Sequence, residues 1–298
     1  MAARALRRYP FFLRRLVHWF VPECQRIRRD LREARRILKP IIEQRLERNR
    51  QAAARGEHVS KIEDTIGWLH DGYQEQGLAP DLATSQLGLA MAAIHTTTEL
   101  LTGSLLDLFA TPQILGDVRG EMRTVLDAQL WKKTTLYQLK LLDSVLKESQ
   151  RLHTRDVATM RRIVEDPLEL SDGTTLPRGA YTMVSFQNLR DPSIYPDPDV
   201  FNPRRFLDLR QQPGQENRWQ LVSTSPEHLA FGHGLHACPG RFFASNEVKV
   251  ALCHLLLKYD WKLADGIDRP KDIVYGSEMG VDGNAKVLFR RREEEVPL

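Results

Sequence analysis

The segment Phe231-Gly232-His233-Gly234-Leu235-His236-Ala237-Cys238-Pro239-Gly240-Arg241-Phe242-Phe243-Ala244 constrains the fold most. It runs a glycine-rich loop into the start of an apolar-periodic helix and sets a cysteine at the junction. A helix N-terminus presents unpaired N–H groups and the positive end of its dipole, and both stabilise a thiolate. Pro239 suits a first helical turn, where its missing N–H costs nothing. Gly234 and Gly240 permit positive φ and a close approach of backbone to a flat ligand. Phe231 is placed to shield the sulfur from water. A buried cysteine by itself is most often inert packing, so the case for Cys238 rests on its neighbours. The other two cysteines, Cys24 and Cys253, lie far off in sequence. An odd number of distant cysteines argues against a disulfide framework and for a reducing compartment.

Upstream, Ile27, Leu31, Ala34, Leu38 and Ile41 or Ile42 recur at three- and four-residue spacing, which predicts an amphipathic helix from Glu23 to about Ala54 with a bend at Pro40. A second helix is expected from Lys61 to Gln76, closed by Gly77 and Pro80, and a third from Asp81 to about Phe109. The third is apolar on most faces through Leu87-Gly88-Leu89-Ala90-Met91-Ala92-Ala93-Ile94, which predicts burial on nearly all sides. His95-Thr96-Thr97-Thr98-Glu99 sits in its middle, where the plain reading is threonines bonding back to helix carbonyls. Helix continues from Pro112 to Arg155, and two turn signals between short β-prone runs predict a small hairpin sheet over 164–186. Residues 188–227 have no period and read as a long ordered loop. A helix after Gly240 is expected to reach Tyr259, with a β-rich end over 274–290. The fold class is therefore mainly α with a small β part. No linker or repeat divides the chain, so residues 1–80, 81–109 and 110–298 read as successive parts of a single domain.

The cysteine loop resembles the haem-binding loop of cytochromes P450, Phe-x-x-Gly-x-x-x-Cys-x-Gly, in a form similar to fungal members. Three further segments resemble that family in the correct order. Glu148 and Arg151 match its Glu-x-x-Arg helix motif, and Pro203-Arg204-Arg205-Phe206 matches its Pro-x-Arg-Phe element. Ala92-Ala93-Ile94-His95-Thr96-Thr97 stands in the place of its oxygen-activating helix motif. The resemblance implies a cytochrome P450 fold and a haem b with Cys238 as thiolate ligand to iron. It implies a structural triad of Glu148, Arg151 and Arg205, and proton handling by Thr96 with His95 in place of the usual acid. It further places Phe231, Gly232 and Gly240 around the haem and sets Arg162 and His236 on its propionates, with Arg161 competing for the first role. Ala92, Ala93, Val157, Ala158, Thr159 and the stretch 277–281 would line a substrate pocket. Arg241 and Lys249 would help dock an acidic redox partner.

The implied activity is a monooxygenase acting on a lipophilic small molecule, in fungal secondary metabolism, with NADPH-derived electrons delivered by NADPH-cytochrome P450 reductase. The resemblance begins late, so a chain lacking the family's N-terminal portion is expected. The alternative expectation is accordingly a truncated remnant that binds haem weakly or does not catalyse. Family members are anchored in the endoplasmic-reticulum membrane. No run here approaches the roughly 20 apolar residues of a membrane span, so a cytoplasmic or peripheral location is expected. The formal charge of +4 conceals a basic stretch: residues 1–55 carry 15 Arg and Lys39 against 5 acids, or +11, leaving −7 for the remainder. Such a stretch reads first as a solvated helix face, with an anionic membrane surface as a further contact. Four ordered motifs argue against a nucleic-acid binder.

Overall fold

The computed structural model describes residues 2–56, 64–78, 81–129, 131–132 and 134–293. The chain packs as two compact units, 1–92 and 93–298. In the first, α1 (Ala2–Arg7) and α2 (Arg14–Val17) precede the long α3 (Pro22–Ala54) and α4 (Thr65–Glu75). α3 starts with Pro22, where the missing N–H costs nothing, and runs through Pro40. α4 starts at Thr65, where the Asp64 side chain accepts the Gly67 N–H at 3.0 Å as an N-cap. That bond, with Arg45 at 2.6 Å, holds the Asp64 carboxyl below its ordinary range. Residues 61–63 lie outside those described. Ile42, Leu82 and Ala83 bury against Leu38, Leu46 and Leu69 to form one small core.

The next helix, α5 (Leu82–Ala110), spans both units. Its existence matches the sequence expectation, but its surroundings do not. Leu87, Leu89, Met91 and Ile94 are exposed, whereas Leu106, Leu108 and Phe109 are buried. Apolar side chains on every face require partners on every face, and among the described residues these exist only near the two ends of α5. No helix among the described residues is long and apolar enough to cross a membrane.

The second unit continues with α6 (Pro112–Gln129), α7 (Thr135–Gln138) and α8 (Lys140–Leu152). Its core joins Leu108, Val118, Met122, Leu142, Val145 and Leu146 to Val248, Leu252 and Leu256 of α10 (Arg241–Lys258). Between these helices lie β1 (Ala158–Ile163), paired antiparallel with β4 (Tyr181–Ser185), and the hairpin of β2 (Leu168–Glu169) and β3 (Thr175–Leu176). The expected loop over 188–227 also contains α9 (Arg205–Arg210), too short for a period to reveal it. The chain ends in β5 (Tyr259–Leu263), β6 (Ile273–Tyr275), β7 (Glu278–Gly280) and β8 (Val287–Arg291), with β5 on β8 and β6 on β7. The architecture is mainly α with a small β part, and β5 begins where the preceding helix was expected to stop.

A buried polar cluster ties the end of α5 to α8 and to the segment before β6. His153 Nδ1 lies 2.6 Å from Asp272 Oδ2 and its Nε2 lies 3.1 Å from Asp107 Oδ1, while Arg269 pairs with both aspartates. Burial opposes charge on the imidazole, but the bonds to Asp107 and Asp272 outweigh it and raise the His153 pKa. Burial likewise opposes charge on Asp272, yet His153 and Arg269 carry its pKa below the ordinary value. The linkage signs follow. His153 contributes stability that is complete below its unfolded pKa and is lost as pH rises through its raised folded value. Asp272 contributes stability above its unfolded pKa that is lost as pH falls through its depressed folded value. Urea unfolding across pH is therefore expected to show a plateau between these limits, and His153→Gln is expected to remove the decline on the alkaline side. An unchanged alkaline limb in that variant would contradict the assignment.

Candidate active site

The cysteine loop is shaped by its own backbone. Cys238 N–H donates to Phe231 C=O at 2.7 Å, Gly232 N–H donates to Leu229 C=O at 2.8 Å, and a single 3-10 turn covers Gly234–His236. Positive φ falls at Gly232 (70°) and Gly234 (68°). A Cβ at Gly232 would sit 3.4 Å from the His236 carbonyl oxygen, so the loop's fold needs a glycine there. Gly240, in contrast, has φ −82° and serves as the N-cap of α10. Its expected positive φ is replaced by proximity: a Cβ there would lie 3.9 Å from Cys238 Sγ. Pro239 precedes the helix, whose first residue is Arg241.

Cys238 forms part of the wall of a cavity of about 660 Å³, within the range of small-molecule and cofactor sites. Thr96, Thr97, Glu99, Leu100 and Gly103 of α5 contribute to the same wall, as do Ala158, Thr159, Arg161 and Arg162 of β1. Phe231, Gly232 and His236 join them from the cysteine loop. The structure thus gathers Thr96, Ala158, Thr159, Arg162, Phe231, Gly232, His236 and Cys238 around one space. It does not bring every expected residue there. His95 is exposed, as Thr96 is, but is not among the lining residues. Ala93 and Val157 are exposed and outside the lining, and Ala92 belongs to the other unit. Of the stretch 277–281, Glu278 is on the wall. Thr97 Oγ1 bonds back to the Ala93 carbonyl at 2.7 Å, as a threonine in a helix interior commonly does.

Glu99 was not singled out by sequence. It lies three residues after Thr96 and so on the same helix face, and burial raises its carboxyl above the ordinary range against the pull of Arg155, 3.9 Å away. The i, i+3 spacing from Thr96 was the available signal.

Beside the cavity, Glu148 and Arg151 of α8 are fully buried and Arg205 is nearly so. Arg151 donates Nε to Glu148 Oε2 at 2.8 Å and Nη2 to Oε1 at 2.9 Å. Arg205 Nε reaches the same carboxylate at 3.1 and 3.2 Å, and Asn202 N–H donates to it at 3.0 Å. The remaining guanidinium donors hold main-chain oxygens: Arg151 those of Leu189 and Pro198, Arg205 those of Pro196, Asp197 and Val200.

A second buried carboxylate on α8, Asp143, accepts from Lys249 Nζ at 2.6 Å, Arg210 Nη1 at 3.2 Å and Leu221 N at 2.9 Å. This corrects the expected docking role of Lys249, which is buried and committed to Asp143 and the Leu136 carbonyl. Arg241 is also engaged: it donates to the carbonyls of Cys238 and Val222 and packs over Phe242. Both cations anchor α10 to its surroundings instead of presenting charge outward.

The residues present fit a haem. Among the described residues, no group of three or more His, Cys, Asp or Glu side chains is arranged to hold a metal ion. Cys238 would hold the iron of a haem through its sulfur. Gly240 keeps the loop slim beside that sulfur, and Arg162 with His236 offers donors for carboxylates.

The sequence model described as Cytochrome P450 matches residues 6–279. The chain is 46% identical over 99% of its length to cytochrome P450 monooxygenase adrA of Penicillium rubens, of which it covers 57%. It is 44% identical over its full length to a cytochrome P450 monooxygenase of Gibberella fujikuroi, covering 67% of that protein. It is 45% identical to cytochrome P450 monooxygenase pyr3 of Aspergillus fumigatus, again covering 57%. The chain thus spans a little over half to two thirds of the length of these relatives.

Proposed function

The chain belongs to the cytochrome P450 family, and from that premise we propose that it works as a haem-thiolate monooxygenase. It would insert one atom of dioxygen into a lipophilic organic substrate, with electrons passed from NADPH through a reductase. The observation that carries this reading is that the Cys238 loop and the Thr96 turn of α5 wall one cavity. Cys238 would hold the haem iron, and the bound haem supplies oxygen activation, favoured by electron donation from the sulfur.

The chain's own side chains divide the remaining work. Thr96 carries a hydroxyl that both donates and accepts, so it can take up and hand on a proton inside the cavity. Leu100, Ala158 and Phe186 offer apolar surface to a lipophilic substrate and exclude water from it. Arg162 and His236 would orient the ring through its carboxylates. The fungal relatives support a place in secondary metabolism, with the oxidised substrate belonging to that chemistry.

The test is direct. The chain is expressed with a haem precursor, reduced and exposed to carbon monoxide. A red-shifted Soret band typical of thiolate ligation is expected. A folded protein that takes up no haem would overturn the proposal.

A further inference from the structure

The basic stretch before residue 55 takes no part in the cavity at Cys238, and the first unit gives part of it a shape. Arg26, Arg29, Arg32 and Arg35 recur at every third position of α3 and form one oblique row along the helix. A helix surface is convex, so a row of side chains makes a groove only where a second wall stands beside it. Here the wall is the turn between α2 and α3. Arg28 Nη2 donates to the His18 and Trp19 carbonyls at 2.9 and 3.1 Å, and Gln25 Nε2 donates to the Trp19 carbonyl at 2.9 Å. The Arg28 guanidinium also lies 4.5 Å from the Trp19 ring centroid, which stands the indole against the helix. The groove so formed has a volume of about 820 Å³, and its wall carries five arginines, Trp19 and Gln25 but no acidic side chain.

A solvated helix face intersperses the two signs of charge, and α3 does so outside the groove. Arg36 pairs with Glu33 at 2.6 Å, Lys39 with Glu43 at 3.7 Å and Arg50 with Glu47 at 3.5 Å, each three or four residues apart. The groove breaks that pattern. Arg26 and Arg32 pair with no acid among the described residues, and Arg29 reaches Asp30 only at 3.9 Å. Arg28 is taken up by the turn, and Arg35 Nε donates to Asp81 at 2.7 Å. Three guanidinium groups, those of Arg26, Arg29 and Arg32, are left beside one another on one wall, where like charges repel and an anion between them would relieve the repulsion. Successive members of the row are about 4.5 Å apart in helix rise, so the three span about 9 Å. A single carboxylate or phosphate is too short to meet all three. A guanidinium fork matches a pair of phosphate oxygens, and a compact ligand with two or more phosphates fits both the length and the charge.

We infer that the groove between α3 and the turn before it is a binding site for a small oligophosphate. Arg26, Arg29 and Arg32 meet the phosphates, and Arg28 keeps the Trp19 wall in place. The site is independent of the haem reading, since no residue of the groove lines the cavity at Cys238. A soluble triphosphate and the headgroup of a bisphosphorylated phosphoinositide present the same chemistry, and the test separates them.

Inorganic triphosphate is titrated into the full chain by calorimetry in magnesium-free buffer. In a second arm the chain is sedimented with phosphatidylcholine vesicles, with and without a phosphatidylinositol bisphosphate. Saturable binding of one triphosphate per chain is expected, weakening as salt is raised. Arg26→Gln and Arg32→Gln are each expected to weaken it roughly tenfold, the scale of a lost charge-assisted hydrogen bond. Arg48→Gln removes the same charge from an exposed position of α3 outside the groove and should leave the affinity unchanged. Arg26 and Arg32 are exposed, so their variants should fold, and far-ultraviolet circular dichroism checks it. Triphosphate binding with this pattern supports the site and assigns it a free oligophosphate. Binding of the bisphosphate vesicles alone, lost in the same two variants, supports the site and assigns it the headgroup. Binding in neither arm overturns the inference, as does vesicle binding that survives both variants. Equal weakening by Arg48→Gln also overturns it, because a solvated basic face attracts anions by its net charge alone.

Discussion

Replacing Cys238 with Ala or Ser is expected to abolish the red-shifted Soret band of the reduced carbon monoxide complex while leaving the apoprotein's unfolding midpoint close to wild type. The separation of the two effects follows from how the loop is held. Its bonds are main-chain ones, from Cys238 N–H to the Phe231 carbonyl and from Ala237 N–H to the Gly234 carbonyl, with Arg241 donating to the Cys238 carbonyl at 2.7 Å. None involves the sulfur, so a smaller side chain costs the loop little. The band, in contrast, depends on sulfur donation and has no partial substitute. Whether haem leaves or stays with another axial ligand, the signature goes. Cys253 is the internal control: it is fully buried, and burial pushes its thiol up to about 12, so it stays protonated and inert. Cys253→Ala should retain the band. A band that persists in Cys238→Ala would remove the basis of the assignment.

The second large effect concerns Glu148. Glu148→Gln keeps the shape and removes the charge, which leaves Arg151 and Arg205 as buried guanidinium groups without their counter-ion. Removing one partner of a buried pair costs roughly 3–5 kcal/mol, a large part of the roughly 5–15 kcal/mol that a whole domain has to lose. The urea midpoint should fall steeply, and the segment from Leu189 to Arg205 should become protease-sensitive before the helical core does. Lys262 and Asp265 pair at 2.7 Å, a distance as short as those in the triad, yet their side chains are 59% and 87% exposed. Asp265→Asn should leave the midpoint unmoved, because water and salt already screen that pair. Equal shifts for the two variants would show that burial is not what gives Glu148 its weight.

Local features of this molecule were legible in the sequence, and features set by distant partners were not. The Glu148 and Arg151 spacing, the positive φ of Gly234 and the run of α5 are short-range patterns, and the structure has them where periodicity and turn chemistry suggest, whereas Gly240 has φ −82°. The burial of α5 was misread because periodicity reports how apolar a helix is and not what lies against it; Met91 and Ile94 are as apolar as Leu106 and Leu108 but exposed. Lys249 looked like a surface cation because its partner Asp143 is 106 residues away. The register shift on β1 between Thr159 and Arg162 belongs to its pairing with β4, and no residue in β1 announces it. His95 and Thr96 are neighbours in sequence, yet Thr96 lines the cavity and His95 does not.

Arg151 and Arg205 grip the segment from Leu189 to Val200 by its carbonyl oxygens. Every residue type supplies that atom, and the side chain of the segment that Arg151 also meets is Tyr195, whose ring centroid lies 5.1 Å from the guanidinium. Substitution at a position such as Pro198 or Val200 changes a side chain the arginines never touch, and the path of the chain should survive it. Much of the vocabulary of this stretch can drift while its course stays put, whereas the two arginines that read it have no synonyms.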